Sequence, residues 1–200
     1  NDEKLLAYLR NLIKFGNDEE EADNRTIYVI KEFMKILKKH ENTRGGKYVA
    51  GLYSVTAHQY FGEVTGALPH GRKKGESFAS GIAPVNGMDK NGPTALINSV
   101  NRIDFTETAN GINFNLKFDS LCLRGQTGLL ALGNILKTYF RRGGMQVQVN
   151  IMDPKILLKA RDNPELYPNL LVRVSGYSAY FNDLTPKMKD EIIRRTCITV

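Results

Sequence analysis

The chain has 200 residues, 42% hydrophobic and 24% charged, a mixture that excludes disorder and lets one domain bury roughly 70% of its unfolded surface. No apolar run reaches the length of a membrane span, and no N-terminal apolar region resembles a secretory leader. Lys and Arg number 28 against 21 Asp and Glu, a net charge of +7. The basic residues are scattered in short groups (Lys38-Lys39, Arg72-Lys73-Lys74, Arg141-Arg142, Arg194-Arg195) with no interleaved aromatics, which argues against nucleic acid as a partner.

In chain order, residues 2–14 predict a helix with Leu5, Leu6, Leu9, Leu12 and Ile13 on one stripe. Residues 18–40 predict a second, capped by Asp18 or Asn17, with the stripe Ile27, Ile30, Phe33, Met34 and Leu37. The aromatic and β-branched stretch 51–61 reads as a strand. Residues 62–93 hold glycine at 62, 66, 71, 75, 81, 87 and 92 and proline at 69, 84 and 93, too many turn formers for long regular elements. A segment that irregular is often functional. A short helix is expected over 94–103.

Regular patterning then takes over. Ile112, Phe114, Leu116 and Phe118 alternate as in a strand, and 126–142 is helical up to Gly143-Gly144. Val147, Val149 and Ile151 alternate with Gln146, Gln148 and Asn150 in a second strand. Asp153-Pro154 places a cap and a first-turn proline before a helix that runs to about 162. Residues 170–174 predict a third strand, and Thr185-Pro186 starts a last helix over 186–196. Strand, helix, strand, helix, strand is the order of an α/β unit, and of one arc of a larger barrel.

Cys122 and Cys197 belong to no CxxC or Cys/His cluster, so a disulfide framework is not expected and both read as structural. His40, His58 and His70 lack metal-ligand spacing. The start at Asn1 rather than Met points to a processed chain or to a piece of a longer one.

The segment after the third strand reads Arg173-Val174-Ser175-Gly176-Tyr177-Ser178-Ala179-Tyr180-Phe181. On its own it is a strand leaving a sheet through a tight turn at Gly176. Followed by a short strand and a helix, however, RVSGY resembles the motif of the glycyl radical enzymes, the pyruvate formate-lyase and glycerol dehydratase superfamily. Other blocks match in order. Gly66-Ala67-Leu68-Pro69-His70-Gly71-Arg72 is similar to the family's TGxxPDGR, with His70 where Asp is usual. Gly81-Ile82-Ala83-Pro84, Lys90-Asn91-Gly92-Pro93-Thr94-Ala95, Gly143-Gly144-Met145-Gln146-Val147-Gln148-Val149-Asn150 and Asn163-Pro164-Glu165-Leu166-Tyr167-Pro168 resemble its further blocks. The resemblance covers about 40–200.

It implies an α/β fold, the C-terminal part of a ten-stranded β/α barrel with the radical loop after a strand and before a terminal helix. The expected division is 1–61, from the end of the main lyase domain, and 62–200, the glycine radical domain. Gly176 would carry the backbone radical, with Arg173, Ser175, Tyr177 and Arg195 shaping its loop. Glycine suits the role because a planar Cα radical shared between amide and carbonyl has no room for a Cβ. No bound cofactor or metal is implied. The radical would be installed by a partner, an iron–sulfur activating enzyme that uses S-adenosylmethionine. A cysteine on the remaining part of the lyase barrel would then attack a small-molecule substrate. In the family that cysteine lies several hundred residues before the glycine, and neither Cys122 nor Cys197 resembles its loop. The expectation is an incomplete, cytoplasmic chain of anaerobic metabolism, inactive alone and homodimeric as the full enzyme. A stand-alone radical carrier that replaces a damaged radical domain is the alternative. The substrate is open between dehydratase or lyase chemistry and acyl transfer.

Overall fold

The structure, a computed structural model, describes residues 2–174 and 177–196, with side chains through Ile193. Its first element, helix α1 (Glu3–Asn11), is capped by Asp2, whose carboxylate accepts a hydrogen bond from the Leu5 N–H at 3.1 Å. The predicted stripe is present but buries nothing: Leu5 and Tyr8 are exposed, as are Leu12 and Ile13 just beyond the helix.

Helix α2 (Glu20–Leu37) starts later than the sequence suggested, and neither Asn17 nor Asp18 caps it. Both find partners across the fold instead. The Asn17 amide donates to the Met88 carbonyl at 2.7 Å, and its oxygen accepts from the Lys90 and Asn91 N–H groups. Asp18, with φ 58, accepts from Asn98 and Arg102. Of the predicted stripe on α2, Met34 is buried, Ile27 and Ile30 lie against the main core, and Phe33 faces out.

The strand expected over 51–61 is not formed. Only Leu52 makes a β-bridge, parallel to Ile112, and the chain then turns into helix α3 (Ala57–Val64). Val55 sits at φ 50, which interrupts any extended run. The helix buries His58 and Gly62, four residues apart on one face, and a Cβ on Gly62 would come within 2.4 Å of the Glu76 carbonyl. Tertiary contacts thus override the β-propensity of the tyrosines and valine here.

Residues 65–91 are irregular, as their turn formers require, and lead into helix α4 (Gly92–Val100). Strand β1 (Asn115–Asp119), helix α5 (Gly125–Arg141) and strand β2 (Gln148–Met152) form a parallel β–α–β unit, in register from Asn115 opposite Gln148 to Asp119 opposite Met152. Helix α6 (Pro154–Asp162) begins as predicted, with Asp153 accepting from the Lys155 N–H at 2.8 Å. The third strand, β3 (Leu171–Arg173), does not extend this sheet. It pairs antiparallel with β4 (Ser178–Tyr180) in a separate two-stranded sheet. Helix α7 (Pro186–Thr196) follows, with the Thr185 hydroxyl accepting from the Met188 N–H.

Two apolar cores result. The larger joins α4, β1 and α5 through Ile97, Val100, Phe114, Leu116 and Tyr139. The second joins α6, the β3–β4 hairpin and α7 through Leu157, Val172, Val174, Phe181, Met188 and Ile192. Among the described residues, no helix is long and apolar enough to cross a membrane.

Candidate functional site

The β3–β4 hairpin is the element on which the sequence places its chemistry. Three residue pairs define it: Leu171 with Tyr180, Val172 with Ala179, and Arg173 with Ser178. One step further, the Val174 N–H donates to the Tyr177 carbonyl at 2.9 Å. Ser175 and Gly176, which link those two residues, lie outside the described residues, as do Cys197 and the side chain of Arg195. Val172 and Val174 point into the second core, so the hairpin is anchored on its inner face by burial.

Arg173 sits on the opposite face and reaches two elements. Its Nε donates to the Gln148 carboxamide oxygen at 3.0 Å and its Nη1 to the Ser178 hydroxyl at 3.1 Å. The first bond ties the hairpin to β2, and the second ties its two strands together. Tyr177, 39% exposed, contributes its backbone carbonyl to the turn. Of the four residues expected to shape the loop, Arg173 lies on β3 with side-chain partners on β2 and β4, and Tyr177 bonds Val174 through its backbone carbonyl.

The polar residues of β2 play parts that alternation alone did not disclose. Gln146, just before the strand, accepts from the Phe114 N–H at 2.9 Å and so prolongs the sheet with a side chain. Gln148 is buried and is the acceptor for Arg173, while also donating to Asn150. Alternation marks such residues as the wet face of a strand. The available signal was the lack of any charge among Gln146, Gln148 and Asn150, which suits amides that face other protein groups. A cleft of about 250 Å³ opens between this face and the hairpin, lined by Lys117, Asn150, Met152, Arg173, Ser178 and Ile192.

The loop blocks serve as braces. Arg72 is buried, donates to the carbonyls of Gly62, Gly66 and Glu76, and stacks 4.3 Å over the Phe78 ring. His70, the departure from the family pattern, is exposed. Gly81, at φ +60, lies so close to Asn113 that a Cβ would meet its carbonyl oxygen at 2.2 Å. The Asn163–Pro168 turn is held from the hairpin side, where Asn182 donates to the Pro164 and Tyr167 carbonyls.

Behind the hairpin, α7 meets α3 through a buried polar set that the sequence did not reveal. His58 lies between Ser54 (Oγ to Nδ1, 3.0 Å) and Glu191 (Nε2 to Oε1, 3.1 Å), and Gln59 donates to the other Glu191 oxygen. His58 and Glu191 are separated by 133 positions, so no local pattern could have paired them. Cys122, read as structural, is instead exposed on the turn between β1 and α5.

Comparison with known proteins gives this geometry a family. The Glycine radical family model matches residues 78–182, and the Pyruvate formate lyase-like model matches residues 1–62. The solved structure of a glycerol-bound, B12-independent glycerol dehydratase from Clostridium butyricum superposes with a TM-score of 0.92 at 44% identity, over 98% of this chain and 25% of that one. Trans-4-hydroxy-L-proline dehydratase of Clostridioides difficile is 38% identical over 92% of this chain and 23% of its own length. Indoleacetate decarboxylase of Tractidigestivibacter scatoligenes is 38% identical over 93% of this chain and 21% of its own. The chain belongs to the glycyl radical enzymes and contains their glycine radical domain. It has their α/β architecture and spans about a quarter of the length of these relatives.

Proposed function

We propose that this chain is the radical-bearing, C-terminal portion of a glycyl radical enzyme, with Gly176 as the residue that stores the radical. The observation that carries the reading is the hairpin. Its described flanks, Arg173-Val174 and Tyr177-Ser178, lie within the stretch matched by the Glycine radical model and close directly on the Ser175-Gly176 link. In this reading Arg173 sets the hairpin against β2, Tyr177 closes its turn, and Ser175 and Arg195 complete the loop's surroundings. The division near residue 62 is supported by the two family matches, which end and resume on either side of it.

The chemistry asks little of the chain beyond position and dryness. Activation removes one hydrogen atom from the Gly176 Cα, taken by a partner enzyme through S-adenosylmethionine. The glycyl radical then takes a hydrogen atom from a cysteine thiol on the rest of the polypeptide, which regenerates glycine and leaves a thiyl. That thiyl takes a hydrogen from a small substrate, and the substrate radical eliminates or fragments before hydrogen is returned. A small hydroxylated molecule is the favoured substrate class, since two of the three relatives above are dehydratases. The protein's share is exclusion of water and side reactions.

The exposed apolar faces favour a portion over a self-sufficient protein. Tyr28, Val29, Phe33 and Ile36 of α2, Tyr60, Phe61 and Val64 of α3, and Leu129, Leu130 and Phe140 of α5 are all at least half exposed. Faces of that extent ordinarily meet other protein. A stand-alone carrier would have to cover them by itself. Alone, the chain should hold a radical and turn over nothing, because the thiyl cysteine belongs to the missing part. The expected setting is the cytoplasm of an anaerobic cell.

The test is spectroscopic. The full polypeptide, incubated without oxygen with a glycyl radical activating enzyme, S-adenosylmethionine and a reductant, should give a glycine-centred paramagnetic doublet. Air should then cut the backbone at Gly176, and Gly176→Ala should abolish both signal and cleavage. A doublet that persists in Gly176→Ala would place the radical elsewhere and overturn the assignment.

A further inference from the structure

Several directional polar contacts cross the seam between the two cores. On one side lie α3, β1 and β2; on the other lie α6, the hairpin and α7. Arg173 crosses it to Gln148, Lys187 to Glu63 at 2.8 Å, and Gln59 to the Met188 sulfur at 3.1 Å. Met152 is the side chain of β2 that packs onto the second core. The cleft beside the hairpin shows that this seam is not filled. A unit with its own core and a loosely filled boundary has the makings of a separate cooperative element.

One crossing contact differs from the rest. In His58–Glu191 the side chains are 1% and 6% exposed, whereas those of Lys187–Glu63, which also crosses here, are 74% and 41% exposed. Exposed pairs contribute little, whereas a buried hydrogen bond to a charged or polar group is costlier to lose. The pair is also held from behind. The Ser54 hydroxyl lies 3.0 Å from His58 Nδ1, and its oxygen accepts from the Gly81 N–H at 3.0 Å. The chain of contacts thus runs from a backbone N–H in the glycine-rich segment, through α3, into the middle of α7.

We propose that His58 and Glu191, backed by Ser54 and Gln59, are positioning residues. They form a buried polar latch that seats the 154–196 unit on the rest of the chain and so fixes where the hairpin stands. The latch itself follows from the packing. That the unit so seated is the radical-bearing one rests on the reading above.

Two native methionines report on the seam without any label. Met188 is 5% exposed and lies at the latch beside Gln59; Met34, also 5% exposed, lies on α2 away from it. The full polypeptide and its His58→Ala, Glu191→Ala and double variants would be treated with hydrogen peroxide and the sulfoxides located by mass spectrometry. The latch predicts Met188 oxidation faster by about tenfold or more in each single variant, no further gain in the double, and an unchanged Met34 rate. Hydrogen exchange should agree, with Val172 and Val174 amides accelerated and those of Phe114 and Leu116 unchanged. The milder Ser54→Ala should give the same pattern at smaller size, and it serves should the alanine variants at the pair fail to fold. Lys187→Ala, at the exposed crossing, should leave both methionines alone. Equal acceleration at Met188 and Met34 would reduce the pair to general stability, and no acceleration at Met188 would remove the latch; either result overturns the proposal. None of these readouts needs a radical, so a missing doublet would sink the functional reading and leave the latch standing.

Discussion

The two cores of this chain differ in how they are assembled. The larger collects residues from distant parts of the sequence: Ile82 from the irregular segment, Leu96 and Val100 from α4, Phe114 just before β1, Leu116 from β1, Tyr139 from α5. The buried residues of the second all lie between Leu157 and Ile193, with Met152 of β2 packed against them. The first is a scaffold that long-range contacts hold together, while the second is a compact unit that presents a hairpin. The difference teaches that stability and chemistry are separated here. Damage to the scaffold should unfold the chain, and damage to the unit should misplace the hairpin while leaving the scaffold intact.

The largest effect expected from this contrast is at Phe114, fully buried against Tyr139 with ring centroids 5.5 Å apart. Phe114→Ala should cost about 3–5 kcal/mol in denaturant unfolding and loosen both cores together. Loss confined to the hairpin unit would break the contrast. Next comes Tyr139. Burial pushes its hydroxyl up to about 12, and the neutral hydroxyl donates to the Gln146 carbonyl at 2.8 Å. The unfolded chain would ionise this tyrosine near pH 10 while the folded one keeps it neutral, so its contribution is complete below pH 10. It is lost as the pH rises toward 12, a decline of roughly 2–3 kcal/mol. Tyr139→Phe should flatten the stability profile across that window, and an unchanged slope would show that another group is responsible. The smallest effect is at Asp153, the cap of α6. Asp153→Ala should cost about 1 kcal/mol and accelerate exchange in α6 and the hairpin, with β1 unaffected.

Much of this was legible in the sequence where the signal is local. The cap and proline at 153–154, the glycine stop at 143–144, and the alternation from Ile112 to Phe118 each correspond to an observed feature. What escaped depends on partners far along the chain. Tyr53 to Phe61 carry strand-forming side chains, yet His58 is buried against Glu191 and the segment coils into a helix. Asn17 and Asp18 have the chemistry of caps, yet Met88, Lys90, Asn98 and Arg102 claim them. The third strand looked like the next rung of a parallel sheet because alternation does not say which neighbour a strand will take. At the site, the RVSGY motif was plain, but the role of Gln148 as the acceptor for Arg173 became visible only when two strands separated by a helix were set side by side.

The compactness of the second core along the sequence also bears on how the chain comes to be folded. Contacts between residues close in sequence close short loops, at little entropic cost and at high rate. The larger core must first bring Leu52 to Ile112 and Asn17 to Lys90. On a ribosome, the part of this chain made later is therefore the part able to fold sooner. The hairpin unit would stand assembled while the scaffold it is to rest on is still gathering, which makes seating, rather than formation, the slow event for the hairpin.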